Sequence, residues 1–262
     1  MIKAIWTVAI GTAMLTSCAP FKMAVSDSLK QEHDEYTVAG RQGILIKQKM
    51  SFGEYYTTDI KRSWTKGGSS GFGIGKVGPT AARFENLISI EYIKRKQTIR
   101  FELSDGKQNS QTYCVTKFNA KDLSIGKYDN SILNIGMDLL GLAGWSESTY
   151  YVQIYTKEND RPWEMLIDNQ AAHARSKTYT GILTLSKDKY YTIVPVTQME
   201  RNGKTGTALA NLGFEFRDAT GKAIAAVSLI DKGMVFLGKT NPEERLLLAN
   251  ACTALLLQEE IG

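Results

Sequence analysis

Residues 246–257 read Leu-Leu-Leu-Ala-Asn-Ala-Cys-Thr-Ala-Leu-Leu-Leu, a run in which only Asn250 and Thr253 are polar. Ahead of it, Asn241 offers a capping side chain and Pro242 fits the first helical position. Glu243 and Glu244 then place acids at the positive end of the helix dipole. The pattern predicts a helix over residues 242–260. At ~3.6 residues per turn, its apolar side chains cover every face. A surface helix carries one apolar stripe, so this one must be surrounded. It is also shorter than the ~20 residues needed to cross a bilayer, which leaves protein as its enclosure.

The segments that could form the wall precede it. Residues 44–50, 55–64, 88–93, 98–103, 112–118, 149–155, 163–167, 179–185, 190–196, 213–217, 223–230 and 233–237 are short, rich in β-branched and aromatic residues, and separated by turn residues. Asp105-Gly106 and Asp218 to Lys222 read as hairpins, because such sequences accept the positive φ of tight turns. One exception is 131–143, where Ile132, Ile135, Leu139 and Leu142 recur at helical spacing. The expected fold is mainly β: an antiparallel, barrel-like body of about twelve strands around a buried apolar C-terminal helix.

On Phe214, Glu215, Phe216, Arg217, Asp218, Ala219, Thr220, Gly221, Lys222, Ala223 and Ile224, the strand at 233–237 and the capped helix, the chain resembles the tubby C-terminal-like superfamily, which includes LURP-one-related and scramblase-like proteins. The pattern covers roughly the last fifty residues, and strand count carries the rest. The resemblance implies a barrel around a central helix. It also implies, as in some members, recognition of anionic lipid headgroups by basic surface residues, while other members are linked to lipid movement.

The other end of the chain speaks about address. Met1, Ile2 and Lys3 form a short basic start, and residues 4–15 then run without a charge, the layout of an export signal. Leu15, Thr16, Ser17 and Cys18 follow and resemble the lipobox of bacterial lipoproteins, with Thr16 a less common choice at its position. That resemblance implies cleavage before Cys18 and lipid on its thiol. Each buried CH₂ of an acyl chain contributes ~0.8 kcal/mol, and two or three chains hold where one binds reversibly. The resemblance also implies the outer over the inner membrane of the cell envelope, because enteric lipoproteins kept at the inner membrane tend to carry Asp where this chain has Ala19. The expected division is a signal peptide at 1–17, a lipidated polar tether at 18–40 that lifts the body off the membrane, and a single β-rich domain at 41–262.

The chain carries 43% apolar and 23% charged residues, the balance of a globular domain. Its net charge of +5 is mild and spread out, unlike the one-sided charge of nucleic-acid binders, which are excluded as a class. The densest basic run is Lys94, Arg95 and Lys96, expected as a solvated turn, with an anionic lipid or glycan surface as its functional alternative. No cofactor or metal is expected. Gly73, Gly75 and Gly78 have dinucleotide-loop spacing but lack a strand-to-helix context. Gly67, Ser69 and Gly71 have nucleophile-elbow spacing with no helix to follow. His33 and His173 are the only histidines, and neither has a second histidine or cysteine nearby; His33 lies in an acidic run with Glu32, Asp34 and Glu35 that reads as solvated. Cys114 and Cys252 can bridge by count, yet their strand and helix settings suit small buried hydrophobes.

No nucleophile, base or metal set converges, so no catalytic residue is named and the protein partner stays open. Two readings stand: a membrane-anchored, non-catalytic binding or envelope-structural module, and an envelope hydrolase acting on glycan or peptide through unidentified carboxylates. A deep cleft holding two acids would favour the second. Most of the plentiful tyrosines and tryptophans are expected in cross-strand packing.

Overall fold

The computed structural model describes residues 21–41, 49–58, 60–63, 98–118, 149–157, 159, 161–168 and 181–258. Within them the chain runs β1 (Lys22–Met23), α1 (Asp27–Lys30), β2 (His33–Thr37), β3 (Ser51–Phe52), β4 (Tyr55–Thr57), β5 (Lys61–Ser63), β6 (Thr98–Ser104), β7 (Asn109–Phe118) and β8 (Thr149–Tyr155). It continues as β9 (Trp163–Asp168), β10 (Gly181–Ser186), β11 (Lys189–Val196), β12 (Gln198–Arg201), β13 (Lys204–Thr207), β14 (Gly213–Arg217), β15 (Ala223–Ser228), β16 (Met234–Gly238) and α2 (Pro242–Leu257).

Twelve strands follow one another in the order β2-β16-β15-β14-β11-β10-β9-β8-β7-β6-β4-β3, with β5 also paired to β6. The two ends of this antiparallel sheet meet at a bridge between Ala39 and Ser51, whose amides each donate to the other's carbonyl at 2.9 and 3.1 Å. The result is a nearly closed barrel with α2 packed against its wall. Closure removes most exposed strand edges.

Period-2 alternation decides what the helix meets. Ile99, Phe101 and Leu103 of β6, Tyr150, Val152 and Ile154 of β8, Met165 and Ile167 of β9, Phe214 and Phe216 of β14, and Val235 and Leu237 of β16 join the ten apolar residues between 246 and 257 in one buried cluster. All six leucines of α2 are at most 3% exposed. Burying one leucine contributes ~1.5–3 kcal/mol, so this helix supplies a large share of the core.

Each polar group carried into that core has a partner. Asn250 donates to Ser110 Oγ at 2.6 Å and to Leu246 O at 2.7 Å, and its Oδ1 accepts from Thr112 Oγ1 at 2.9 Å. Thr253 Oγ1 donates back to Ala249 O at 2.7 Å. The N-cap is as expected, with Asn241 Oδ1 accepting from Glu244 N at 2.9 Å. At the far end no basic residue lies in the last turn. Arg41 supplies the charge from another part of the chain, Nε donating to Leu256 O at 3.1 Å and Nη1 to Leu229 O at 2.8 Å, and the Tyr150 hydroxyl donates to Ala254 O at 2.9 Å. A cation there complements the negative end of the dipole. Gly233, at φ +89°, lets the β15–β16 turn pass so close to this end that a Cβ would lie 2.5 Å from Leu256 Cδ2.

The expected tether is corrected: residues 21–39 are built into the body. β2 pairs with β16 in register from His33 opposite Gly238 to Thr37 opposite Met234. α1 lies on the outer wall, where Met23, Val25 and Leu29 pack with Val196, Leu212, Ala226 and Phe236 in a second cluster. Ser26 N donates to Glu215 Oε1 at 2.6 Å, and Arg217 holds the other carboxylate oxygen at 2.8 Å. Nor is the acidic run simply solvated. Asp34 faces inward to Arg245 Nη2 at 2.9 Å, and Glu35 faces outward to Lys22 at 3.3 Å. β1 joins β12 and β13 in a separate three-stranded sheet. The expected strand at 55–64 divides into β4 and β5. Those at 88–93 and most of 44–50, and the expected helix at 131–143, lie outside the described residues.

If α2 is the core, Leu255→Ala lowers unfolding free energy by ~2–5 kcal/mol through lost burial plus a cavity. Asn250→Ala costs about 1–3 kcal/mol by stranding the Thr112 hydroxyl and leaving Ser110 Oγ with its bond to Leu103 O alone. Removing residues 246–262 leaves no cooperative melting transition by circular dichroism; a truncated domain that melts near the parent temperature contradicts the enclosed-helix core.

Candidate functional site

Antiparallel order brings the β6–β7, β8–β9, β10–β11 and β14–β15 turns to the barrel end where α2 begins. The Asp218 side chain shapes the last of these, its Oδ1 accepting from Thr220 N at 2.9 Å and Lys222 N at 3.1 Å. Asp105 does the same in the first, accepting from Lys107 N at 2.8 Å and Gln108 N at 2.6 Å. Between two of these turns, the strands beside them and the helix start lies a cleft of about 150 Å³. Gln108, Thr156, Lys157 and Asn159 line it from the β6–β7 and β8–β9 turns, Trp163, Lys189 and Tyr191 from the strands, and Asn241, Glu243, Glu244, Leu246 and Leu247 from α2 and its cap.

The aromatic wall is tightly organised. Trp163 and Tyr191 stack with ring centroids 5.6 Å apart and planes 22° apart, and Lys189 Nζ stands 5.4 Å from the Trp163 centroid. Such a placement holds an ammonium by cation–π attraction. The Tyr191 hydroxyl donates to Glu244 Oε1 at 2.5 Å. Burial pushes the Tyr191 phenol well above its ordinary value, and the hydrogen bond to and charge of Glu244 add to this. It is therefore a fixed donor. Glu244 is thus tied at its carboxylate to β11 and at its amide to the Asn241 cap.

This arrangement suits recognition of a polar group. Amides, a hydroxyl, two lysines and two glutamates surround a volume below the ~300–1,000 Å³ of typical small-molecule sites, so it accommodates a small ligand or one end of a larger one. Two-carboxylate hydrolysis requires acids facing each other ~5–9.5 Å apart across a bond. Glu243 and Glu244 are neighbours on one helical turn and approach from the same wall.

Elsewhere, several ionisable groups are buried in the wall and core. Cys114 and Cys252 are both buried and unbridged. Burial pushes the Cys114 thiol up to about 12 and raises that of Cys252, which removes the thiolate needed for reactivity. On the outer face of the wall, Tyr151 donates to Glu164, Gln153 Nε2 donates to the Tyr151 hydroxyl at 2.8 Å, and Tyr155 donates to Gln153 Oε1 at 3.2 Å. His33 packs its ring on Phe236 at 5.6 Å, and its Nδ1 is buried without a hydrogen bond.

The residues singled out from sequence as carriers of function, Cys18 and the basic run Lys94, Arg95 and Lys96, lie outside the described residues, as do the glycine-rich loop at 67–78 and His173. In the sequence, Trp163 and Tyr191 are two among many aromatics, and Glu243 and Glu244 are acids that suit the helix dipole. Lys157, Lys189, Asn159 and Gln108 carried no motif. Their common signal is position at strand ends that share one rim, which requires the strand order to be known.

Burial raises the Glu164 carboxyl above its ordinary 4.5, with the Tyr151 and Gln153 hydrogen bonds opposing the shift. A carboxyl raised in the folded state binds its proton more tightly there than in the unfolded chain. Its contribution is fully present below about pH 4.5 and is lost as pH rises through the folded value. Glu164→Gln should therefore flatten the fall in melting temperature between acid and neutral pH; an unchanged pH profile would contradict this account.

Compared with known proteins, the chain matches no family model, no curated protein and no solved structure.

Proposed function

We propose that this chain is an extracytoplasmic lipoprotein of the cell envelope, held to the membrane by acyl chains on Cys18, with a helix-centred barrel that serves as a non-catalytic binding module. The observation that carries the reading is the packing of α2. A barrel whose inner side chains and apolar helix form one dry cluster leaves ligand contact to its rim and outer surface. The rim cleft between Trp163, Tyr191, Lys189 and the start of α2 is the binding element of this proposal, suited to a polar or charged group such as a glycan end or lipid headgroup. Lys94, Arg95 and Lys96 are a second candidate contact for an anionic ligand. The membrane address rests on Leu15, Thr16, Ser17 and Cys18 following a basic start and an uncharged run. In this proposal the resemblance to the tubby C-terminal-like superfamily supplies the barrel-around-helix plan, with which the closed sheet and the buried α2 agree.

Metabolic labelling with a clickable fatty acid tests the anchor: wild type incorporates label and Cys18→Ser does not, whereas equal incorporation defeats it. Incubation of the purified protein with isolated peptidoglycan sacculi tests the non-catalytic reading. Release of soluble fragments that Glu243→Gln abolishes would replace it with the hydrolase reading.

A further inference from the structure

The same strand order that builds the cleft rim fixes what lies at the other end. β11 runs from Lys189 at the cleft to Val196 at the opposite rim, which at ~3.3 Å per residue is about 23 Å along the strand. β12 begins two residues later, and β1 is seated on it, with Lys22 opposite Glu200 and Met23 opposite Met199. Ala24 N donates to Gln198 O at 2.9 Å, and Met23 is buried against the wall. The chain then climbs by α1 toward the cleft rim, where Ala223 N donates to Ser28 Oγ at 3.3 Å, and descends again as β2. The described chain thus enters at the end opposite the cleft.

Four residue steps separate Lys22 from Cys18. At ~3.3–3.6 Å per residue they span at most about 14 Å. The headgroup layer of one leaflet is itself ~5–8 Å deep, so a chain acylated at Cys18 has little room between β1 and the bilayer. The exposed chemistry here suits that contact. Phe21 is 43% exposed and Leu209, in the segment that returns the β12–β13 hairpin to the barrel, is 79% exposed. They are two of the three large hydrophobics exposed among the described residues, the third being Tyr56 on β4. The hairpin tip, residues 201–204, holds Arg201 and Lys204 and no acid, and all four of its residues are exposed. The nearby acids Glu35 and Glu200 are held by Lys22 at 3.3 Å and Lys30 at 3.6 Å.

We infer that the β1–β12–β13 sheet is a membrane-docking surface, resting on anionic lipid headgroups of the bilayer that holds the acyl chains, and that it orients the barrel with the rim cleft opening away from the membrane. This rests on the lipoprotein reading. Cations are drawn to an anionic surface, and aromatic rings favour the interface. With the body fixed at the fourth residue after the anchor, these contacts determine orientation rather than attachment.

The test uses the mature protein extracted from membranes and reconstituted into vesicles of phosphatidylethanolamine and phosphatidylglycerol containing a headgroup-proximal spin-labelled lipid. An environment-sensitive fluorophore is placed on Lys204→Cys at the hairpin tip or on Lys107→Cys at the cleft rim; Cys114 and Cys252 are buried and do not compete. Mass spectrometry of the N-terminal peptide reports acylation in the same samples. The expected result is acylated Cys18, loss of roughly half or more of the emission at position 204, little loss at 107, and recovery at 204 when Phe21 and Leu209 are both changed to serine. Acylated protein with no quenching at 204, or equal quenching at both positions, overturns the docking surface and leaves the anchor standing; protection of the 204 label without quenching would assign the surface to a protein instead. Unmodified Cys18 overturns the anchor and the docking surface together.

Discussion

A helix with leucine on every face is unstable in water unless every face is covered, and the architecture described here follows from that requirement. One flat sheet covers one face and a sandwich covers two. An antiparallel sheet curled until its first and last strands touch covers all of them. The bridge between Ala39 and Ser51 is therefore more than an edge contact, because it narrows the remaining gap through which water could reach the helix. The wall in turn depends on the helix. Inward rows such as Ile99, Phe101 and Leu103 share one buried cluster with α2.

Apolar packing alone leaves a cylinder in a cylinder free to rotate and slide, and a few polar contacts remove that freedom. Asn250 is fully enclosed and makes three hydrogen bonds, two of them to Ser110 and Thr112 on β7, so only one rotation of α2 satisfies it. An unpaired amide in that position would carry the desolvation cost of a buried polar group, which makes other rotations unfavourable. Arg41 fixes the lower end by joining the Leu256 carbonyl of the last turn to the Leu229 carbonyl of the wall. Arg245 fixes the upper end by joining the first turn to Asp34, the Tyr36 hydroxyl and Gly238 O. The cleft depends on this arrangement, since Glu244 meets Tyr191 only at one height and rotation of the helix.

The amino-acid pattern disclosed the elements whose faces are chemically plain. Nine expected strands from residue 98 onward overlap described ones, and the helix start and its cap are those its sequence indicates, although the helix ends at Leu257 and not at 260, with Gln258 already extended. It concealed the elements whose stabilising contacts are distant. β2 reads His-Asp-Glu-Tyr-Thr and looks like solvated linker, because its inward Asp34 is neutralised by Arg245, 211 positions away. β1 and β12 are short, and each turns only one methionine toward the wall. The candidate site was less legible still. Lys189 or Asn159 is an ordinary turn residue until the strand order sets it beside the start of α2. Cys18 and the basic run are legible as chemistry without any described geometry.

Chain order gives the fold a temporal character. Every described strand precedes α2, and β2 finds its partner β16 about 200 residues downstream. Local hairpins such as β6–β7 or β14–β15 can form as the chain is made, but their inner rows face no core until the leucine-rich helix arrives, and the seam at β2 waits equally long. Such non-local closure makes folding slow and keeps earlier strands loosely held. Late completion has a physical consequence: the polypeptide stays threadable for most of its synthesis, and its compact form is reached only once α2 has been made.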